Sequence, residues 1–217
     1  RKLHSSSWGY LCPAETPEGA SVGIVKNLSY MAHITIPNDS SPIYDYIKQY
    51  LIEFENIDND VLINGAKVFV NGCWLGNAKY AFELYNDLKQ KKYNGIINIY
   101  TSIIFDYKKK EIRICNEAGR LTRPVLKVKN NNLVLNKNII DKLRNNNMTW
   151  DDLLINLENE SCIEYIDPAE QNSLMIATKP SDLLNLNKTD SIFNYTHCEI
   201  HPSTIFGILA SCIPFPE

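Results

Sequence analysis

Residues 61–76 read V-L-I-N-G-A-K-V-F-V-N-G-C-W-L-G, and their reading decides the fold class. Two β-rich runs each close on Asn-Gly, a dipeptide whose residues both tolerate positive φ, as a tight hairpin turn requires. Three short antiparallel strands are expected. On both sides the hydrophobic period changes to that of a helix. Upstream, Ile43, Tyr46, Ile47, Tyr50, Leu51 and Phe54 recur at helical spacing behind Ser40-Ser41-Pro42, which predicts a helix over 42–55. Downstream, Ala81, Leu84, Tyr85 and Leu88 predict a helix over 78–93, closed by the basic run K-Q-K-K and by Asn94-Gly95. Strands and helices in this mixture give an α+β class, with mixed small antiparallel sheets and short helices in two subdomains.

Further out the signals weaken. Ile96–Phe105 and Glu111–Cys115 are strand-like around a polar D-Y-K-K-K loop, and A-G-R-L-T-R-P-V-L-K-V gives a turn and a strand that ends at N-N-N. That asparagine run is the best internal boundary. Beyond it, 139–143 and 149–157 predict short helices, the second with Thr149 as N-cap and Asp151 and Asp152 in its first turn. C-I-E-Y-I-D and S-L-M-I-A-T read as strands, residues 185–194 as a polar loop, and the apolar stretch after His201 as a helix or strand. Residues 1–36, 37–129, 130–194 and 195–217 are the expected segments.

The 217 residues, 44% hydrophobic and 22% charged, suffice for a sizeable core. A net charge of −3 leaves no global basic footprint, so any nucleic-acid contact has to be local. Six cysteines stand singly, without a C-x-x-C pair, and read as reduced, mostly buried thiols. No apolar run of about 18 residues predicts a membrane span. An intracellular protein with no membrane partner is expected. The chain starts without methionine and stops on I-P-F-P-E, which reads as a fragment of something longer.

Several constellations carry possible chemistry. His197, Cys198 and His201 form H-C-x-x-H, ligand types that zinc accepts, yet no fourth ligand stands at a usual spacing, so packing is the preferred reading and no metal is assigned. Cys12 or Cys198 with His4 or His197 lacks any local signature of a cysteine hydrolase. Neither a G-x-x-x-x-G-K-[ST] loop nor a G-x-G-x-x-G fingerprint is present, and no small-molecule cofactor is expected. Lys89, Lys91 and Lys92 read as a solvated helix end, Lys108–Lys110 as a solvated hairpin tip. Arg120 and Arg123 read as partners of carboxylates elsewhere in the fold.

Residues 1–31, R-K-L-H-S-S-S-W-G-Y-L-C-P-A-E-T-P-E-G-A-S-V-G-I-V-K-N-L-S-Y-M, are the densest in special backbone behaviour. Pro13 and Pro17 push Cys12 and Thr16 toward extended conformations, and Gly9, Gly19 and Gly23 allow bends. A helix cannot run through them. Glu15 and Glu18 are therefore not an acid/base pair on one helix face. The expected structure is a shaped surface loop leading, through the apolar Ile24–Met31, into a buried element.

This stretch resembles the fork region of the second-largest subunit of multisubunit DNA-directed RNA polymerase, in its polymerase II form and its archaeal and large-DNA-virus counterparts. F-V-N-G-C-W-L-G, E-A-G-R-L-T-R-P, E-Y-I-D and T-H-C-E-I-H-P-S-x-I-x-G-I-x-A-S-x-I-P-F-P continue the resemblance in family order. It implies the end of the fork, two external domains and the start of a hybrid-binding region. In that family the catalytic Mg²⁺ is held chiefly by the largest subunit, so no catalytic residue and no bound cofactor are expected in this stretch. The resemblance implies partners in the largest and other polymerase subunits, the DNA template and the RNA–DNA hybrid. A nuclear location is implied for a eukaryotic source, and cytoplasm, viral factory or virion for a large DNA virus. Residue by residue, Arg1, Pro17 and Glu18 are expected to position the active centre, and Arg1, Lys2, His4 and Lys26 to meet nucleic acid. Ala20 departs from the family, where a polar residue often follows the T-P-E-G glycine. The alternative is a stand-alone α+β protein-interaction domain without a catalytic role.

Overall fold

The computed structural model describes residues 2–52, 58–155, 161–186 and 194–214. They form two compact units. The first comprises the described residues of Arg1–Ile34, Arg120–Thr149 and Cys162–Glu217; the second comprises those of Thr35–Gly119 and Trp150–Ser161.

In chain order, the opening loop carries two 3-10 turns, Ser5–Ser7 and Gly19–Ser21, and leads into β1 (His33–Ile34). Next come α1 (Ser41–Lys48), β2 (Leu51–Ile52), α2 (Asn59–Asn64), β3 (Ala66–Val70), β4 (Cys73–Ala78) and α3 (Ala81–Tyr93). β5 (Ser102–Asp106), β6 (Glu111–Cys115), β7 (Leu121–Lys129) and β8 (Asn132–Leu133) follow, then α4 (Lys137–Arg144) and α5 (Trp150–Leu154). The chain continues through β9 (Ile163–Ile166), α6 (Pro168–Gln171), β10 (Ile176–Ala177), α7 (Pro180–Leu186), β11 (His197–Cys198) and α8 (Ile208–Ser211).

The second unit is built on a five-stranded sheet of order β2-β4-β3-β6-β5. Strand alternation turns Ala66, Val68 and Val70 of β3 inward and leaves Lys67 exposed. These inward residues pack with Ile43, Ile47, Leu84, Leu88, Ile103, Ile112 and Ile114. Each fully buried large aliphatic side chain contributes about 1.5–3 kcal/mol. Asn71 and Gly72, with φ of 48° and 82°, make the expected turn between β3 and β4.

The other Asn-Gly does not. Residues 61–64, expected as a strand, belong to α2, whose end is closed by Gly65 N–H donating to Val61 O at 2.9 Å. A short apolar run is ambiguous between strand and helix, and here Val61 is buried from a helix. Gly65 has a φ of −78° and passes so close to other backbone that a Cβ would lie 2.5 Å from Val61 O. Close approach, not positive φ, accounts for this glycine.

Other boundaries move for similar reasons. α1 ends at Lys48 because Leu51 and Ile52 pair with Ala78 and Asn77 of β4; residues 53–55 of the expected helix lie outside the described residues. The strand expected over 96–105 covers only its last part, since turns with Ile97 N–H to Lys91 O and Thr101 N–H to Asn98 O occupy the rest. Lys89 and Lys92 are buried, not a solvated helix end, with Lys89 Nζ 5.9 Å from the Tyr85 ring centroid. The Lys108–Lys110 tip is exposed as expected.

In the first unit, β7 is the axis of a six-stranded sheet. It pairs antiparallel with β1, β9, β11 and β8 along successive parts of its length, and β10 joins β11 in parallel. Asn130 and Asn131, with φ of 50° and 57°, turn β7 into β8. α7 occupies the start of the loop expected over 185–194; residues 187–193, like 156–157 of the helix expected over 149–157, lie outside the described residues. Among the described residues, the apolar stretch after His201 forms a 3-10 turn, Pro202–Ile205, and the four-residue α8. Among the described residues no helix is long and apolar enough to cross a membrane.

Candidate functional site

The opening loop is a closed structure standing on a polar base. Its two stems pair with each other: Cys12 N–H donates to Asn27 O at 2.9 Å, Ser29 N–H to Tyr10 O at 3.0 Å, and Leu11 bridges Leu28. Inside the loop, Thr16 Oγ1 accepts from Gly23 N–H at 2.8 Å and donates to Val25 O at 3.1 Å, while Asn27 Nδ2 donates to Glu15 O at 3.2 Å. Gly9, Gly19 and Gly23 all adopt positive φ, as the bends in this stretch demand.

Beneath the stems lies Arg123 on β7. Its Nη1 and Nη2 donate to Glu199 Oε2 and Oε1 at 2.5 and 2.9 Å, and its Nε donates to Gln171 Oε1 at 2.9 Å. Gln171 Nε2 in turn donates to Trp8 O at 3.4 Å. The guanidinium carbon stands 5.5 Å from the centroid of the Tyr10 ring. Tyr10 is fully buried, and its hydroxyl donates to Ile166 O at 3.1 Å. Burial pushes that hydroxyl well above the usual phenol range, so it remains a donor. Arg120 makes a second partly buried pair, 3.0 Å from Asp167. Both arginines thus have the carboxylate partners the sequence reading expected.

The second stem is anchored separately. Ser29 Oγ donates to Ile205 O at 2.8 Å and Tyr30 N–H to Phe206 O at 2.8 Å. The apolar run Ile24–Met31 does not itself become buried: Ile24, Val25, Leu28 and Tyr30 are exposed, and Ser29 is its one buried residue. The backbone pairing of this stem places it at the surface, so its apolar side chains face outward.

Pro17 and Glu18 are exposed on the loop, Glu18 just ahead of the Gly19–Ser21 turn without capping it through its side chain. Lys2 and Lys26 are exposed too. His4 is exposed and accepts from Ser6 N–H at 3.2 Å, which caps the first 3-10 turn. Arg1 lies outside the described residues. Glu15 is half-buried, and a Cβ added at Gly207 would lie 2.4 Å from its Oε2. An apolar cavity of about 260 Å³ beside the loop is lined by Leu3, Trp8, Leu11, Pro13 and Ile205 among others, and among the described residues its lining includes no Lys or Arg.

His197, Cys198 and His201 serve different partners. His197 Nε2 is 3.1 Å from the buried Glu164 Oε2, Cys198 Sγ donates to Glu199 O at 3.4 Å, and His201 Nδ1 caps the Pro202–Ile205 turn through Ser203 N–H at 3.2 Å. Burial, with Glu199 and Asp182 nearby, pushes the Cys198 thiol up to about 11. Among the described residues no three His, Cys, Asp or Glu side chains gather as a metal would require. The arrangement can hold exposed side chains in place, and neither His197 nor His201 is paired with Cys198.

Sequence reasoning missed the base of the loop. Tyr10, Gln171 and Glu199 carry no local signature of their role; only the Arg120 and Arg123 spacing hinted at it.

Family models described as RNA polymerase Rpb2 domain 3, domain 4 and domain 5 match residues 1–34, 68–129 and 150–202. Across the whole chain it is 41% identical to DNA-directed RNA polymerase II subunit RPB2 of Encephalitozoon cuniculi and 38% to RNA polymerase II subunit 2 of Arabidopsis thaliana. It is 33% identical to DNA-directed RNA polymerase subunit 2 of Acanthamoeba polyphaga mimivirus, again over the whole chain. The chain spans 19% of the first two relatives and 20% of the third. It belongs to the Rpb2 family, the second-largest subunits of DNA-directed RNA polymerase.

Proposed function

We propose that this chain forms part of the active-centre wall and scaffold of a DNA-directed RNA polymerase, where the opening loop positions Pro17 and Glu18 for template-dependent RNA synthesis. The observation that carries the reading is the closed loop, braced inside by Thr16, that leaves Glu18 exposed within the stretch matched by domain 3. A carboxylate held there repels phosphate and suits a basic side chain, so Glu18 orients a neighbouring cation and does not bind nucleic acid. Lys2 and Lys26, with Arg1 ahead of them, supply the local positive charge that the overall balance of −3 lacks, and His4 adds a ring that can hydrogen-bond nucleic acid.

The chemistry is attack of an RNA 3′-hydroxyl on the α-phosphate of a nucleoside triphosphate, which forms the new phosphodiester as the α–β phosphoanhydride bond breaks and pyrophosphate leaves; two metal ions, when bound, would stabilise the charge on the attacking and leaving oxygens. The carboxylates of this loop do not fit a Mg²⁺ site, since Glu15 is half-buried beside Gly207 while Glu18 is exposed, and no step is assigned to the metal here. The partners are the largest and other polymerase subunits and the template and hybrid they enclose. The location is that of the polymerase, nuclear in a eukaryotic cell.

A photoreactive amino acid in place of Glu18, in the assembled polymerase, tests this. Adducts with the largest subunit are expected from position 18 and not from position 108 on the hairpin tip. Equal yields from the two positions would overturn the reading.

A further inference from the structure

The base of the loop has a function that its distance from the exposed residues conceals. We infer that Arg123 and Tyr10 are positioning residues for the active centre, acting through the loop stem. The inference rests on the proposed role of Glu18.

A series of contacts supports it. Arg123 is held on three sides, by both oxygens of Glu199 and by Gln171, and both members of its ion pair are nearly fully buried, at 4% and 5% side-chain exposure. A guanidinium fixed by three directed bonds has little freedom to shift. Gly9 crosses this guanidinium so closely that a Cβ would lie 2.5 Å from Arg123 Nε, and its φ of 79° is one that only glycine adopts at no cost. Tyr10, the next residue, is locked between Arg123 and Ile166 O. Two residues further on, Cys12 pairs with Asn27 and closes the loop.

Position is therefore passed from β7 to the loop along a chain of neighbours: Arg123 to Gly9 and Tyr10, Tyr10 to Ser29 across the stem, and Thr16 across the loop to Gly23 and Val25. A buried ion pair adds little net stability compared with apolar packing of the same volume. Its use here is orientation, since the fork of Arg123 fixes where a glycine and a tyrosine ring can lie. A change at this base tilts the whole loop and moves Glu18 without touching it.

The test compares variants in the assembled polymerase and reads, per active complex, the rate of correct nucleotide addition and the ratio of correct to incorrect addition. Gly9→Ala, Arg123→Lys and Tyr10→Phe are set beside Glu18→Ala and a control, Gly119→Ala. Gly119 has the same backbone demand, with a φ of 78°, but nothing lies within 4 Å of its would-be Cβ. Gly9→Ala and Arg123→Lys are expected to change the ratio by at least about threefold, in the direction Glu18→Ala changes it, because small misplacements are costly in a positioned reaction. Combining Arg123→Lys with Glu18→Ala adds little to Glu18→Ala alone, as residues acting through one unit do.

Where Arg123→Lys fails to assemble, Tyr10→Phe decides, because it deletes only the hydroxyl that bonds Ile166 O. Base variants that lower the amount of active polymerase while keeping the wild-type ratio, beside an altered Glu18→Ala, would overturn the inference and leave the reading of Glu18 intact. A wild-type ratio in Glu18→Ala would overturn that reading, and this inference with it.

Discussion

Arg123 and Glu199 meet through two parallel hydrogen bonds, of 2.5 and 2.9 Å, in an interior where neither side chain is more than 5% exposed. Removing one partner strands the other's charge. Arg123→Ala is expected to destabilise the first unit by about 3–5 kcal/mol, whereas replacing both residues with apolar side chains of similar volume costs much less. Urea denaturation of the single and double variants measures the difference.

Asn71 has two duties. Its left-handed backbone makes the β3–β4 turn, while Nδ2 donates to Ser40 Oγ and Asn116 Oδ1 and Oδ1 accepts from Asn116 N–H. Asn71→Gly keeps the turn and loses the side chain; Asn71→Ala loses both. Losses of about 1–3 kcal/mol are expected for the glycine variant, from unsatisfied groups around the part-buried amide. The alanine variant loses about 1 kcal/mol more, from a backbone that glycine accepts and alanine resists. Thermal melts of the two variants separate the turn from the network.

His33 sets a pH dependence. Burial lowers its pKa below the ordinary histidine value, and its ring packs 4.9 Å from that of Tyr165. The folded state holds the proton more weakly than the unfolded one, so the unfolded chain binds more protons below the ordinary value of about 6.5. This contribution is complete above that pH and is lost as pH falls from there through the lower folded-state pKa. The stability difference between pH 8 and pH 5.5 is expected to shrink in His33→Gln; an unchanged difference would contradict the assignment.

The cysteines divide by burial and not as a group. Cys73 and Cys212 are exposed, while Cys12, Cys162 and Cys198 are buried, and burial raises the Cys162 and Cys198 thiols. Brief alkylation at pH 8 followed by mass spectrometry is expected to label Cys73 and Cys212 first. Labelling of Cys198 at the rate of Cys73 would show that the first unit opens readily.

The parts of the fold legible in the sequence were those where one physical demand had one solution. Asn71-Gly72 needed positive φ and was read correctly as a turn; Asn64-Gly65 looked the same, but the glycine there answers to the nearby backbone of Val61 and Ala78. Local pattern cannot separate these two uses. The same limit applied to Lys89 and Lys92, which are buried at a helix end that charge alone marks as solvated. For the site, the prolines and glycines announced an irregular loop, and two arginines announced carboxylate partners. Tyr10, Gln171 and Glu199 come from three distant parts of the chain and meet only because β7, β11 and α6 are brought together by the fold.

The most direct test of the central claim is rapid-quench kinetics of single-nucleotide addition by the complete polymerase carrying Glu18→Ala or Arg1→Ala, with assembly verified. A loop that positions the active centre predicts a rise of at least about threefold in misincorporation relative to correct addition. Wild-type rates and wild-type selectivity in both variants, from fully assembled enzyme, would contradict it.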